Sequence, residues 1–349
     1  MDATMRAVVI SMTEHVSLEQ ISRPRPRADQ VIVQVKACGL CGTDMHLYHG
    51  KFPTSYPLVP GHEFSGVIAE IGNDVSGLRI GDRVIVDPNI ACGACYFCRN
   101  GQINHCLNHA AIGVTQNGAF AEYVAAPARN VFPIGDKLSF EEAAMVEPLS
   151  CVVYGLRRLQ MQIGDQVLIF GAGPIGLLLM QCCKHGGASS VTMVDVDQKR
   201  LEMARLLGAT NIISSETQQA NLWNFAPYGF DAVIDATGVP RVVENSMQYV
   251  KSGGKLLLFG VCPNDAKIAI SPYEIYRRDL TVVGTFALRY SFDPALELIR
   301  HGIVQVKPLL HPLITLDQIP AIFENRAKAK DAMKIVFTEN ESDLIGVLG

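Results

Sequence analysis

The sequence predicts an α/β protein of two domains, a β-rich one over residues 1–150 and a doubly wound parallel-sheet one over 151–287, with residues 288–349 packing back on the first. Three observations carry this expectation. A chain of 349 residues exceeds one ordinary core and suits two. Before about residue 150 the apolar runs are short, β-rich and separated by glycine; after it they alternate with helical patterns. Between the first of those later runs and the helix after it stands a Gly-x-Gly-x-x-Gly turn.

In the first part, DQVIVQVKACG, FSGVIAEIG and GDRVIVDP read as strands, and few segments are long enough for helices. In the second, QVLIF, SVTMVDV, DAVIDATG, GGKLLLFG and LTVVG read as buried strands, with PIGLLLMQCCKHG and QKRLEMARLLG as helices between them. Buried runs alternating with helices imply parallel strands joined by right-handed crossovers. From about residue 288 the alternation breaks up. The final ENESDLIGVLG starts polar and reads as an exposed tail or an interface strand.

Composition narrows the function classes. The formal charge is −4 with both signs interspersed, so no basic stripe marks a nucleic-acid partner. No apolar run approaches the roughly 20 residues that span a bilayer, and the opening MDATMRAVVIS lacks the apolar centre of a signal peptide. The expectation is a soluble cytoplasmic protein without membrane or nucleic-acid partners. Of the ten cysteines, four crowd into one loop, which favours metal over disulfides in such a compartment.

Gly171, Gly173 and Gly176, with Pro174 and Ile175 between them, come directly after VLIF and open the next helix. Glycines there let the backbone approach a pyrophosphate at a helix N-terminus, where free N–H groups and the macrodipole favour an anion. The next strand run ends on Asp195, about 20 residues past the glycines, where a carboxylate holds a ribose 2′-hydroxyl and repels a 2′-phosphate. NAD is therefore expected rather than NADP. Asp197 suits the cap of the next helix, which leaves Asp195 for the ribose. Arg200 packs over the adenine or faces water.

The stretch ACGACYFCRNGQINHC sets Cys92, Cys95, Cys98 and Cys106 in the spacing Cys-x2-Cys-x2-Cys-x7-Cys. Four soft ligands in one loop close a tetrahedral shell around Zn²⁺ and leave no room for substrate. An iron–sulfur cluster fits this spacing less well. His105 and His109 flank the last cysteine and read as surface residues. An open metal site has to come from elsewhere, and Cys41, with Gly42-Thr43-Asp44 behind it, and His62 beside Glu63 supply a thiolate, an imidazole and a carboxylate.

Gly61-His62-Glu63, then Gly66, Gly72 and Val75, with the cysteine loop and the glycine motif after them in that order, resemble the zinc-dependent medium-chain dehydrogenases over nearly the whole chain. The resemblance implies a GroES-like catalytic domain and a Rossmann domain, in dimers or tetramers. It implies one catalytic zinc on Cys41 and His62 and one structural zinc in the cysteine loop. Thr43 would take the substrate proton, His46 would relay it to solvent, and Asp44 would support the metal site. The segment MVEPLSCVVYG resembles the sorbitol and polyol branch, which places a glutamate where alcohol dehydrogenases carry a cysteine. Glu147 is thus a candidate ligand, bound directly or through the metal's water, with Glu63 able to exchange into the shell. Cys151, four residues on, reads as a small buried hydrophobe, as do Cys38, Cys182, Cys183 and Cys262.

The activity implied by the resemblance is oxidation of a secondary alcohol of a polyol to a ketose, the hydride passing to NAD. Threonine, sugar-alcohol phosphates and simple alcohols are the alternatives. The polyol branch carries Gly-x-Phe-Arg-Tyr over the substrate hydroxyls, whereas here Ala287 and Leu288 precede Arg289 and Tyr290. Leu47 stands where polyol enzymes carry a tyrosine, with Tyr48 next to it.

Overall fold

The structure is a computed structural model that describes residues 3–325 and 332–339, and of residues 217–221 only the backbone. Nearly all of ENESDLIGVLG therefore lies outside the described residues. The chain divides into two compact units. One takes the residues up to Pro148, Ala295–Arg300 and the chain from Val306 onward; the other takes Leu149–Pro294 and His301–Gln305. The boundary falls inside the helix Val146–Leu159.

The first unit is built on a mostly antiparallel sheet. Its strands run in the order Leu310–Ile314, Lys334–Thr338, Gln30–Gly39, Glu63–Ile71, Arg83–Val86 and Val131–Pro133, with Tyr123–Pro127 also paired to Gln30–Gly39. Val31, Val33, Val35, Phe64, Ile68 and Val84 from three of these strands fill the main core of this unit. Two strands of the C-terminal segment thus complete this sheet, a placement their short, irregular pattern gives no periodic sign of. In register, Gly39 faces Glu63 on one side and Val336 on the other. Helices here are short, as the glycine spacing implies; Gly42–Tyr48 has seven residues.

The second unit holds six parallel strands in the order Asn211–Ser214, Ser190–Asp195, Gln166–Phe170, Phe230–Asp235, Val250–Leu258, Thr281–Gly284. The order reverses beside Gln166–Phe170, the first of them in sequence, and a reversal of that kind opens a crevice at the carboxyl ends of the strands. Central strands such as Gln166–Phe170 are buried on both faces, which explains runs with no polar alternation. Buried Gln181 donates its Nε2–H to the Gln305 carbonyl at 3.1 Å and accepts the Gln305 N–H at 2.8 Å. That reciprocal pair ties residues 301–305 to this unit.

Candidate functional site

The helix Gly42–Tyr48 starts with a capping box in which a cysteine stands where serine or threonine is usual. Cys41 Sγ accepts the Thr43 N–H at 3.5 Å, and Asp44 Oδ2 accepts the Cys41 N–H at 2.8 Å. The other oxygen, Asp44 Oδ1, accepts the Gly61 N–H at 3.2 Å and lies 3.4 Å from His62 Nδ1. Fully buried Asp44 therefore joins the start of this helix to the start of the strand Glu63–Ile71. With Nδ1 facing a carboxylate, the imidazole presents Nε2 outward, an orientation typical of a metal-binding histidine.

Cys41, His62 and Glu63 bring one ligand atom each to within 4.8 Å of one another. Their surroundings are short of positive charge: Asp44, Glu63 and Glu147 accompany the thiol, and Lys334 is the cation paired with Glu63. Burial alone would lower His62, yet the negative groups Asp44 and Cys41 hold it well above the usual histidine value. Burial pushes Glu147 up to about 7, and the charge of Glu63 adds to the rise. A donor set of thiol, imidazole and carboxylate in so negative a pocket fits a divalent cation.

The structure brings Glu63 rather than Glu147 into the donor group. Glu147 senses the charges of His62, Glu63 and Lys334 from the first turn of the helix Val146–Leu159. Thr43 and His46 lie three residues apart on one helix, a spacing that sets them on a shared face. Thr43 Oγ1 is 3.7 Å from Cys41 Sγ, and His46 is exposed. Tyr48 does not stand in for a tyrosine at 47. Its hydroxyl donates to the Glu14 carbonyl at 3.1 Å, its ring packs on Phe323, and Leu47 is fully buried.

Cys92, Cys95, Cys98 and Cys106 form the second donor group, again with one atom each inside 4.8 Å. Two sulfurs on a tetrahedral zinc, each about 2.3 Å from it, stand roughly 3.8 Å apart. Cys95 Sγ and Cys106 Sγ stand 4.0 Å apart, far beyond a disulfide bond, and none of the ten cysteines is in a disulfide. Backbone N–H groups of Ala94 and Cys95 pull the Cys92 thiol down, and those of Cys98 and Leu107 do the same for Cys95. Cys98 goes the other way, pushed up to about 12 by burial and by the neighbouring thiols, the mutual repulsion expected of four sulfurs gathered so closely. His105 is exposed, whereas His109 is half-buried with Nε2 3.1 Å from Asn89 Oδ1, so only the first is the surface histidine the sequence suggests. Of the cysteines read as buried, Cys38 and Cys183 are; Cys151, Cys182 and Cys262 are half-buried.

In the second unit, Gly173 caps the helix Pro174–His185 with no side chain satisfying the first N–H groups. A Cβ at Gly176 would come within 1.8 Å of the Gly171 carbonyl, so the helix start packs directly on the turn. A Cβ at Gly173 would meet nothing within 4 Å, which leaves an open cradle for an anion at these free donors. Pro174 and Ile175 form the first turn. Asp195, at the end of its strand, is 8% exposed and accepts the Ala172 N–H at 2.6 Å and the Asp197 N–H at 2.8 Å. Each oxygen keeps a lone pair for a hydroxyl. Asp197 caps the helix Gln198–Leu206, and Arg200 Nε lies 3.9 Å from Asp197 Oδ2.

The Arg289 guanidinium lies over the Tyr154 ring, 5.3 Å from its centroid, while Tyr290 is 62% exposed. Ala287 and Tyr290 both have left-handed backbones, with φ of 52° and 49°. The insertion of Ala287 and Leu288 is accommodated by burying Leu288 to 1% exposure and by Arg157, which donates to the Tyr290 carbonyl at 2.8 Å. Among the described residues no helix is long and apolar enough to cross a membrane.

Residues 27–136 match the family model described as the alcohol dehydrogenase GroES-like domain, and residues 174–301 that described as zinc-binding dehydrogenase. D-arabinitol dehydrogenase 1 of Uromyces fabae is 35% identical over 344 residues, covering 97% of this chain and 98% of its own. D-altritol 5-dehydrogenase of Agrobacterium fabrum is 38% identical over 312 residues, covering 88% and 91%. Among solved structures, a zinc-binding dehydrogenase from Sinorhizobium meliloti 1021 bound to NADP superposes with a TM-score of 0.93 at 34% identity, covering 97% of this chain and all of that one.

Proposed function

Since the chain belongs to the zinc-binding alcohol dehydrogenase family, an oxidoreductase family with nicotinamide cofactors, we propose that it oxidises a secondary hydroxyl of a polyol with NAD, giving a ketose. The observation that carries the reading is the gathering of Cys41, His62 and Glu63 donors under Asp44, with Thr43 and His46 on the adjoining helix. Polyols are favoured because both curated relatives above are named for oxidising them.

Cys41, His62 and Glu63, with Glu147 in reserve, would hold a zinc ion, which would supply the Lewis acidity that lowers the pKa of an alcohol hydroxyl. A bound NAD, held by the glycine turn and Asp195, would supply the hydride acceptor for the carbon that becomes the carbonyl. The chain's own side chains do the rest. Thr43 Oγ1 takes the hydroxyl proton as it gives up its own, and exposed His46, an imidazole able to accept and donate a proton, delivers it to water. Gly171, Gly173 and Gly176 leave the backbone N–H groups of the helix start to the pyrophosphate. Asp195 accepts the ribose 2′-hydroxyl, and Arg200 flanks the adenine. The four-thiolate loop holds a second zinc with no free position and orders its own segment. Arg289 and Tyr290 are the side chains proposed to contact the remaining hydroxyls of the substrate. A four-thiolate site of this kind persists in a reducing compartment, which supports the cytoplasm.

The test is an NADH absorbance screen over sugar alcohols, their phosphates, threonine and simple alcohols. Reduction of NAD with a polyol at the highest kcat/KM is the expected result. No reduction with any secondary alcohol overturns the reading, and a preference for threonine or a phosphate corrects the substrate class.

A further inference from the structure

Lys334 is a lysine buried to 7% exposure in the strand Lys334–Thr338, whose other residues are apolar or buried. Its Nζ forms an ion pair with Oε2 of Glu63, itself 2% exposed, and donates to the Leu40 carbonyl at 3.1 Å. Gly39 makes the room for this pair. A Cβ there would stand 2.2 Å from Glu63 Oε2 and 2.9 Å from Lys334 Cε, so the two side chains meet across a bare backbone position between their strands. Burying two charges costs several kcal/mol per ion and is tolerated only when geometry and hydrogen bonds compensate. As a strand staple alone, an apolar pair of similar volume serves equally well. What distinguishes this pair is its place, since Glu63 also offers an oxygen within 4.8 Å of the Cys41 and His62 donors.

We propose that Lys334 is a positioning residue of the metal centre, a fixed buried cation that shares the Glu63 carboxylate with the metal and keeps Glu63 from closing the coordination position a substrate hydroxyl needs. The proposal rests on the reading of Cys41, His62 and Glu63 as metal donors. The ammonium is held between the Glu63 carboxylate and the Leu40 carbonyl, with no other cation paired to that carboxylate among the described residues. Without it, the Glu63 charge has only the metal to answer it. The carboxylate then binds fully, tightens the site and blocks the hydroxyl. A purely structural lysine predicts the opposite sign, since loosened strands release metal faster.

The test measures zinc release from the folded, zinc-loaded enzyme to a competing chelator, with the four-thiolate zinc as the internal control. Lys334→Met is expected to slow release of the catalytic zinc about tenfold and to raise the KM for the alcohol, while Lys334→Arg stays near wild type. In a Glu63→Gln background the Lys334→Met change is expected to have no effect on release. Release from Lys334→Met as fast as or faster than wild type overturns the proposal, as does an effect that persists in the Glu63→Gln background. Should Lys334→Met alone fail to fold, the double variant decides: the proposal needs it to fold and to release zinc as Glu63→Gln does. A wild-type enzyme that holds only the four-thiolate zinc overturns the reading of the metal centre itself, and the proposal with it.

Discussion

Asp44 Oδ1 lies 3.4 Å from His62 Nδ1, while the other oxygen of the same carboxylate takes the Cys41 N–H at 2.8 Å. One buried side chain therefore fixes two donors that stand on different elements. Asp44→Asn keeps the shape but removes the charge behind the imidazole. Losing a partner of this kind costs about 10–100-fold in metal affinity. The expected outcome after dialysis against a mild chelator is a fall from two zinc ions per chain to one, with the thiolate site still filled. Metal analysis that finds both ions retained removes Asp44 from this role.

His46→Ala should lower kcat by roughly 10²-fold, the smaller end of what a positioned proton-transfer group contributes. Zinc content and NAD affinity should hold, because exposed His46 is on the solvent side of its helix and belongs to neither donor group. Small diffusible bases such as imidazole should restore part of the rate. Full activity in the variant without added base sinks the relay.

The parts of the site that the sequence makes legible are those whose residues are close neighbours along the chain. Cys92 to Cys106 are recognisable as one donor group because four thiols lie in one loop, and Gly171 to Gly176 as a turn opening a helix because strand, turn and helix are contiguous. The third donor of the open site is harder, since Glu63 and Glu147 both qualify by residue type and only the register of Glu63 opposite Gly39 sets it beside Cys41. Lys334 carries almost no readable sign. Its partner lies far back in the chain, and a lysine beginning the run KIVF looks like an ordinary strand end until the sheet order is known. The bare position at Gly39 is the one local hint.

Asp195 should decide between the cofactors, and the NADP-bound relative makes the outcome informative. With Asp195 on the ribose 2′-hydroxyl, as proposed, its carboxylate would oppose a 2′-phosphate, so wild type should favour NAD over NADP by at least about tenfold in kcat/KM, the equivalent of roughly 1.4 kcal/mol. Asp195→Ala should reduce that preference. It should also raise the KM for both cofactors, because the Ala172 N–H loses its acceptor at 2.6 Å and the glycine turn loosens. Equal use of NAD and NADP by wild type removes the discriminating role.

The strand Thr281–Gly284 ends the parallel sheet, and its outer edge has no partner strand among the described residues. It carries no charge to discourage pairing, and Val282 is 38% exposed, with Tyr276 and Phe286 also exposed nearby in sequence. Edge-to-edge pairing with a second copy would satisfy these backbone groups and account for a homodimer. Val282→Lys should then shift the chain toward monomer in light scattering, with zinc content intact. A dimer that survives the change has to use another surface.

Burial raises the Asp87 carboxyl from an ordinary 3.8 to about 6, against two hydrogen bonds that favour its charged form. Those bonds come from the Asn89 N–H at 2.9 Å and Asn89 Nδ2 at 3.0 Å, both to Oδ1. A carboxyl that holds its proton more tightly when folded stabilises the fold below the unfolded pKa, and that stability is lost as pH rises through about 6. Two pKa units correspond to about 3 kcal/mol at most, and the residue is only half-buried, so on the order of 1–2 kcal/mol is the realistic size. Asp87→Asn keeps the carbonyl oxygen that both Asn89 donors use and removes the charge. Urea unfolding should therefore show the variant more stable than wild type near pH 8, with the gap closing toward about pH 4. A gap that is constant with pH, or one that widens in acid, places the charge of Asp87 in a favourable setting and reverses the sign argued from burial.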